Sequence, residues 1–435
     1  MITCAFYEKE ITPPIGSEIP GYYEVRVSTG VLDRLYVKAV VFGEDRPTAA
    51  IISVDACFLP DELCRRISAR VHEFTGIPAE AVGVCATHTH LGVPSGEEIG
   101  SKEDALYMEW LYRAAADCAI LAAQRLRPCS FSFGTGTAEG ISFVRDCIMM
   151  DGSLCTNPSR CPTPKDLSEI DRPYSQSDPL VPVLAAYDEN GTPVGALVRF
   201  ACHLDCVGGT NFSGDYASVL SRRLKARYGE DFVSLFLTGA CGDINHINHM
   251  TGIPLNYIDM GATLADQASE MIDGRAEKLH GKVRSLLKNA VCRYRRATSE
   301  DKANARRIVE TGNAESNTML GVLMSELLLD YEEKLERSGD TERALPVQVI
   351  SVCGINIFLL PGEIYHEFAA QIRHAAGENC LFATLSNGNF GYIPIPEVFG
   401  SSVYPVQLCG GSMFEPDAGS KIAETAIELA KKLQL

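Results

Sequence analysis

The sequence lacks most of the features that would take it out of the class of globular enzymes. It has no Pro/Ser-rich linker, no low-complexity tract and no repeat at a fixed period. That excludes a string of small modules and a solenoid. No run approaches the ~18–20 apolar residues needed to span a bilayer. The opening MITCAFYEKEITPPIG has no basic stretch followed by an apolar one, so it does not read as a secretory signal, and a cytoplasmic protein is expected. No pair of CxxC knuckles marks a structural zinc site, and no EF-hand-like pattern marks a calcium loop. Positive charge is in deficit: 39 Lys and Arg stand against 56 Asp and Glu, a formal net charge of −17. Such a surface repels polyanions, which excludes nucleic acid as the expected partner.

What is present is an ordinary globular composition over 435 residues, 46% hydrophobic and 22% charged. One large domain over 1–435 is the expectation. The sixteen cysteines read as reduced, mostly buried thiols of a cytosolic enzyme. Short β-branched runs predict strands at 37–42, 49–54, 81–86, 196–201, 232–237, 347–360 and 380–386. Helical periodicity appears at 63–74, 104–126, 216–228 and 421–433. The stretch 261–339 reads as mainly helical and charged, and 148–182 as a long loop of the kind that often carries function. Strands and helices alternate, so the fold class is α/β: a mixed β-sheet core flanked by helices.

Four segments share one pattern, in which an apolar strand runs into a polar knot. In open α/β sheets the reacting groups sit on loops at strand ends. The first knot is Thr87-His88-Thr89-His90. On an extended backbone His88 and His90 would face the same side, either toward a metal or as ordinary hydrogen-bonded histidines. The second is Cys202-His203-Leu204-Asp205, followed by Ser213-Gly214-Asp215-Tyr216, where Asp215 reads first as a helix cap and Cys202 as packing. The third is Leu360-Pro361-Gly362-Glu363, and the fourth runs from Ser386 to Tyr392. Together they supply imidazoles, a carboxylate and a phenol. That set suits a catalytic zinc with an open or weakly filled position.

In order along the chain, these segments resemble the neutral (neutral/alkaline, non-lysosomal) ceramidase family. Ile11-Thr12-Pro13-Pro14-Ile15-Gly16 is similar to its N-terminal signature, and Gly30 to Tyr36 to its G-I-x-x-x-L-Y segment. Ala86 to His90, with Gly92 and Pro94, resembles A-T-H-T-H-S-G-P. Ser213-Gly214-Asp215-Tyr216 resembles S-A-D-Y, Gly239 to Asn245 resembles G-A-A-G-D-x-x, Pro361-Gly362-Glu363 resembles P-G-E, and Gly391-Tyr392-Ile393 the late Tyr motif. The resemblance implies a zinc-dependent amidohydrolase with ligands His88, His203, Glu363 and Tyr392. It also implies His90 facing the substrate beside the metal and Arg145 holding a polar group of it. The chain departs from the pattern at Leu91, which stands in place of the motif's Ser. The spacing from Glu363 to Tyr392 is also short, and no counterpart of the family's C-terminal immunoglobulin-like domain follows.

The resemblance implies attack of metal-activated water on a linear N-acyl bond, with Tyr392 or His90 stabilising the oxyanion and His90 moving protons. Asp205, Asp215 and Asp243 are candidates for orienting the histidines. Three readings of function follow. The first is a ceramidase-like amidase of sphingolipid metabolism, and the second a hydrolase of the same fold for a soluble ester or amide. The third is a non-catalytic relative that binds lipid or sugar. The acidic surface favours a soluble substrate and a small, polar pocket, lined in part by 148–182 and Arg145.

Overall fold

The computed structural model describes residues 2–95, 104–160, 164–274, 279–312, 319–409 and 411–434. Three sheets carry the architecture. The first orders Val82–Ala86, Pro47–Val54, Tyr36–Gly43, Thr3–Glu10 and Arg127–Pro128. The second orders Val233–Thr238, Pro193–Phe200, Leu180–Tyr187 and Ser130–Thr137. The third orders Val283–Arg293, Glu342–Val352, Ile355–Leu359 and Cys380–Ala383.

Each sheet is mostly antiparallel and ends in one parallel pair: Pro47–Val54 with Val82–Ala86, Pro193–Phe200 with Val233–Thr238, and Ile355–Leu359 with Cys380–Ala383. Parallel neighbours need a crossover, and helices supply it. One of these helices is Asp61–Thr75. It opens behind Pro60 with Asp61 and Glu62 in its first turn, which suits the helix dipole, and closes on Gly76 at φ 73°. The fold is thus the expected mixed α/β type, with a helix pair packed on each sheet: Asp61–Thr75 with Ala105–Ala123, Asp215–Tyr228 with Tyr257–Asp273, and His366–Ala376 with Ala418–Gln434. Among the described residues no helix is long and apolar enough to cross a membrane, and every cysteine is a free thiol; Cys161 lies outside them.

The three parallel pairs point their carboxyl ends at one another, and buried threonines stitch those ends together. Thr238 Oγ1 donates to Thr87 O at 2.7 Å. Thr384 N and Oγ1 donate to Thr238 O at 2.8 and 3.1 Å. Asn387 N donates to Val84 O at 2.7 Å. Each of these threonines is at least 95% buried, so the polar seam lies in apolar surroundings where an unmade bond would be costly. This seam sets the relative positions of the loops that follow.

Two expectations from the sequence are corrected. The stretch 261–339 is not helical throughout. Helices occupy Tyr257–Asp273, Ser299–Thr311 and Met319–Ser338, but Val283–Arg293 is an eleven-residue edge strand paired along its whole length with Glu342–Val352. Its exposed residues mix Arg284, Lys288, Asn289 and Arg293 with Leu287 and Val291, so only the partner strand reveals its period. Nor is 148–182 a continuous loop. Asp146–Met149, Leu154–Thr156 and Ile170–Pro173 form a small antiparallel sheet, and Leu180–Tyr187 is a buried strand. Residues 161–163, 275–278 and 313–318 of these stretches lie outside the described residues.

Candidate metal centre

At each of the three strand-end pairs, one strand is followed by a functional side chain and its parallel neighbour by the group that orients it. Val82–Ala86 leads to His88, and Pro47–Val54 leads to Cys57, whose carbonyl accepts from His88 Nδ1 at 2.7 Å. Pro193–Phe200 leads to His203, and Val233–Thr238 leads to Ile244, whose carbonyl accepts from His203 Nδ1 at 2.9 Å. Ile355–Leu359 leads to Glu363, and Cys380–Ala383 leads to Tyr392. Glu363 and Tyr392 then face each other in a two-residue parallel bridge.

The result is a convergence of residues distant in sequence. Ligand atoms of His88, His203 and Glu363 all lie within 4.8 Å of one another. Glu363 Oε2 stands 3.4 Å from His88 Nε2 and 3.2 Å from His203 Nε2. His88 holds φ at +68°, in the left-handed region that a residue with a side chain adopts only under constraint. The extended His88-x-His90 geometry is therefore not what brings the two rings together. They still meet, at 4.9 Å between centroids, because the turn at His88 is held by its N–H on Ala56 O.

The donors of this triad are compatible with a bound metal ion. Both imidazoles spend their Nδ1 proton on a backbone carbonyl, which leaves Nε2 as the lone-pair nitrogen. Burial pushes His203 down to about 4, so it is neutral at physiological pH. Burial alone would raise the Glu363 carboxyl, but the adjoining imidazoles hold it well below its usual range. The carboxylate oxygen and the two Nε2 atoms thus compete for one positive charge, a proton or a metal ion. His203 Nε2 and Glu363 Oε2 have no hydrogen-bond partner among the described residues. Four ligands at ~2.0–2.1 Å in a tetrahedron stand about 3.3 Å apart, and the observed 3.2 and 3.4 Å fit that edge. Donor types, tautomers and spacing all suit zinc.

The remaining candidates lie around this point. His90 packs against the rings of His88 and His203, with both its nitrogens buried and without a hydrogen-bond partner among the described residues, and Arg26 Nη2 donates to its carbonyl at 2.7 Å. Gly21, at φ 107°, lies against His90; a Cβ there would stand 3.0 Å from Nδ1. The Tyr392 hydroxyl touches both Glu363 and Arg145, and burial first of all raises its pKa, so it stays a donor. Arg145 is buried beneath Tyr392, its guanidinium 5.0 Å from that ring and bonded to Gly242 O. Gly242 admits no side chain, since a Cβ there would lie 2.3 Å from Glu363 O.

Backbone carbonyls occupy the Nδ1 atoms of His88 and His203, and the three aspartates hold neighbouring groups. Asp205 accepts from the Tyr22 hydroxyl and lies 3.9 Å from His90 Nδ1. Asp215, at φ +54°, gathers Cys206 N, Val207 N and Tyr216 N on its carboxylate, so it braces the loop after His203. Asp243 accepts from His366 N at 3.0 Å and His366 Nδ1 at 2.6 Å, and so fastens the start of the helix that follows Glu363. The same imidazole reaches Glu367 at 3.2 Å. Burial opposes the charge on His366, yet Asp243 lifts it to about 9, while burial lifts Glu367 to about 7. Asp243 is therefore the carboxylate that holds the imidazolium. A folded pKa above the unfolded value of ~6.5 stabilises fully below ~6.5, and the contribution is lost as pH rises through about 9. That shift corresponds to about 3 kcal/mol at most. Urea unfolding of the wild type at pH 6 and pH 9.5 should show this loss, and Asp243→Asn should be less stable at pH 6 and nearly flat between the two. An equal alkaline loss in the variant would remove His366 as its source.

A cavity of about 690 Å³ opens over the triad. Its floor includes His88, His90, Glu363 and Tyr392, and its walls include Tyr22, Tyr23, Phe58, Tyr294 and Tyr404. Tyr404 packs on Tyr392 at 5.4 Å and shares a hydroxyl contact with Tyr23. Neither Arg145 nor any described residue of 148–182 lines the cavity; the helix Met319–Ser338 does so instead. The expectation of a small pocket walled by 148–182 is thus corrected, because that stretch is folded into its own sheet. Tyr22, Tyr23, Tyr404 and the cavity side of that helix carry no local signal in the sequence.

No protein-family model and no curated protein matches the chain. Among solved structures it is similar to a neutral ceramidase from Pseudomonas aeruginosa, at 19% identity and a TM-score of 0.72, over 100% of this chain and 74% of that one. It is similar also to a ceramidase complexed with C2, at 18% identity and a TM-score of 0.71, over 100% of this chain and 75% of that one.

Proposed function

Proceeding from a chain with the neutral ceramidase fold, we propose that this protein is a zinc-dependent hydrolase of a linear amide bond in an N-acyl substrate. The observation that carries the proposal is the triad: two imidazole nitrogens and a carboxylate oxygen, distant in sequence, converge on one point. His88, His203 and Glu363 would hold the zinc, with the Tyr392 phenol beside it. Bound there, zinc would supply a water of lowered pKa and polarise the scissile carbonyl.

The chain's own residues have separable tasks. Tyr392 donates its O–H toward the developing oxyanion, and Arg145 below fixes the orientation of that ring. His90 enters neutral, since burial and the neighbouring imidazoles hold it well below its ordinary pKa. It can therefore accept a proton and return it to the leaving amine. Asp205, Tyr22 and Arg26 brace the loop that backs His90. The aromatic walls exclude water from the reacting bond.

A second reading, hydrolysis of a soluble ester or amide and not of a membrane lipid, is supported by the charged side chains Asp330, Lys334 and Asp340 around the cavity. One experiment addresses both. Zinc should bind near one equivalent per chain, and the loaded protein should cleave short N-acyl amides. Absence of zinc binding would end the metal reading. Cleavage of esters alone, or of long-chain ceramide alone, would decide the substrate against the first or the second reading.

A further inference from the structure

The helix Met319–Ser338 meets the cavity through Leu327, Asp330, Tyr331, Lys334, Leu335 and Ser338. Their spacing of three and four residues puts them on one side of the helix. Along that side the chemistry is graded. Tyr331 and Leu335 are buried, and Leu327 is half-buried. Asp330 and Lys334 form an exposed ion pair at 2.7 Å, with exposed Asp340 beyond them.

The helix is held in place from behind. Buried Glu332 accepts from Ala297 N at 2.6 Å and from Arg296 at 2.9 Å, and the Tyr331 hydroxyl donates to Arg295 O at 2.8 Å. Tyr294 and Met413 complete the apolar part of the wall. The cavity thus has a polar reacting floor, an apolar middle and an ionic mouth.

We propose that this helix face selects the substrate. It takes a single-chain N-acyl compound whose apolar chain lies along Leu327, Tyr331 and Leu335 and whose far end is polar. The inference rests on the amide-hydrolase reading for the reacting end, and on the cavity alone for the chain. At about 690 Å³ the cavity is of the size that takes a small-molecule ligand. That is room for one medium chain and its head. Each methylene laid on the wall should tighten binding up to about fourfold.

The test uses the zinc-loaded full chain and N-acyl p-nitroanilides with acetyl, butanoyl and octanoyl groups. In the wild type, kcat/KM should rise at least tenfold from acetyl to octanoyl, mainly through KM. Leu327→Trp narrows the channel at a half-buried position, and Leu335→Ala opens it. Each should lower the octanoyl-to-acetyl ratio about tenfold or more. Ratios unchanged in both variants would overturn the proposal, as would a wild type indifferent to chain length. Calorimetric binding of the same compounds to the zinc-loaded protein separates this from the reaction. If no amide is cleaved, the amidase reading fails. The wall still stands if octanoyl binds at least tenfold tighter than acetyl and Leu327→Trp removes the difference, and it falls if the two bind alike.

Discussion

Replacing His203 by alanine should leave a folded protein that no longer retains zinc and that turns over N-acyl substrate at least ~10³-fold more slowly. The basis is geometric. His203 Nε2 stands 3.2 Å from Glu363 Oε2, and its other nitrogen is committed to Ile244 O. Nothing else on the Pro193–Phe200 strand end can replace that donor. Removing one oxyanion donor typically costs ~10²–10³ in rate, and loss of the metal removes both the nucleophile's activation and the carbonyl's polarisation. Glu363→Gln should weaken zinc in the same direction, since the amide keeps the shape and loses the charge that the two imidazoles hold ionised. Metal content after dialysis, circular dichroism and turnover check this together. A folded His203→Ala protein with a full equivalent of tightly held zinc would remove the triad as the metal site.

His90→Ala should separate chemistry from metal binding. His90 lines the cavity and packs edge-on against His88, yet it stands apart from the set formed by His88, His203 and Glu363. Zinc should stay near one equivalent while kcat falls ~10²–10⁴-fold, the usual contribution of a positioned acid–base group. KM should change little, because the ring meets the reacting end and not the chain. The proximity of Cys57 and His88 to His90 sharpens the test, since those three also form a possible ligand group. If His90→Ala loses its zinc, His90 belongs to the ligand set and Tyr392 leaves it.

Much of the fold's repertoire can be read from local pattern. The strands Tyr36–Gly43, Pro47–Val54, Val82–Ala86 and Val233–Thr238 are buried on both faces, so they appear as mostly apolar runs. The helix Ala418–Gln434 has one apolar face and appears through its period. Val283–Arg293 does not appear. It is a half-exposed edge whose strand character comes from pairing with Glu342–Val352. The stretch 148–182 is rich in turn formers, and its short strands Leu154–Thr156 and Ile170–Pro173 both pair with Asp146–Met149.

The sequence by itself determined which residues are candidates for chemistry: His88, His90, His203, Glu363 and Tyr392 each follow an apolar strand, and strand ends are local features. Tertiary structure alone decided how they act together. The threonine seam of Thr87, Thr238 and Thr384 brings three sheets end to end, and without it His88, His203 and Glu363 share nothing but their type. The groups that orient the two histidines are the carbonyls of Cys57 and Ile244. Every residue has a carbonyl, so no side-chain pattern can mark those two. The cavity wall is decided in the same way. The face that Met319–Ser338 turns toward Glu363 depends on the ion pair of Glu332 with Arg296 and on packing against Tyr294, contacts that exist only once distant segments have met.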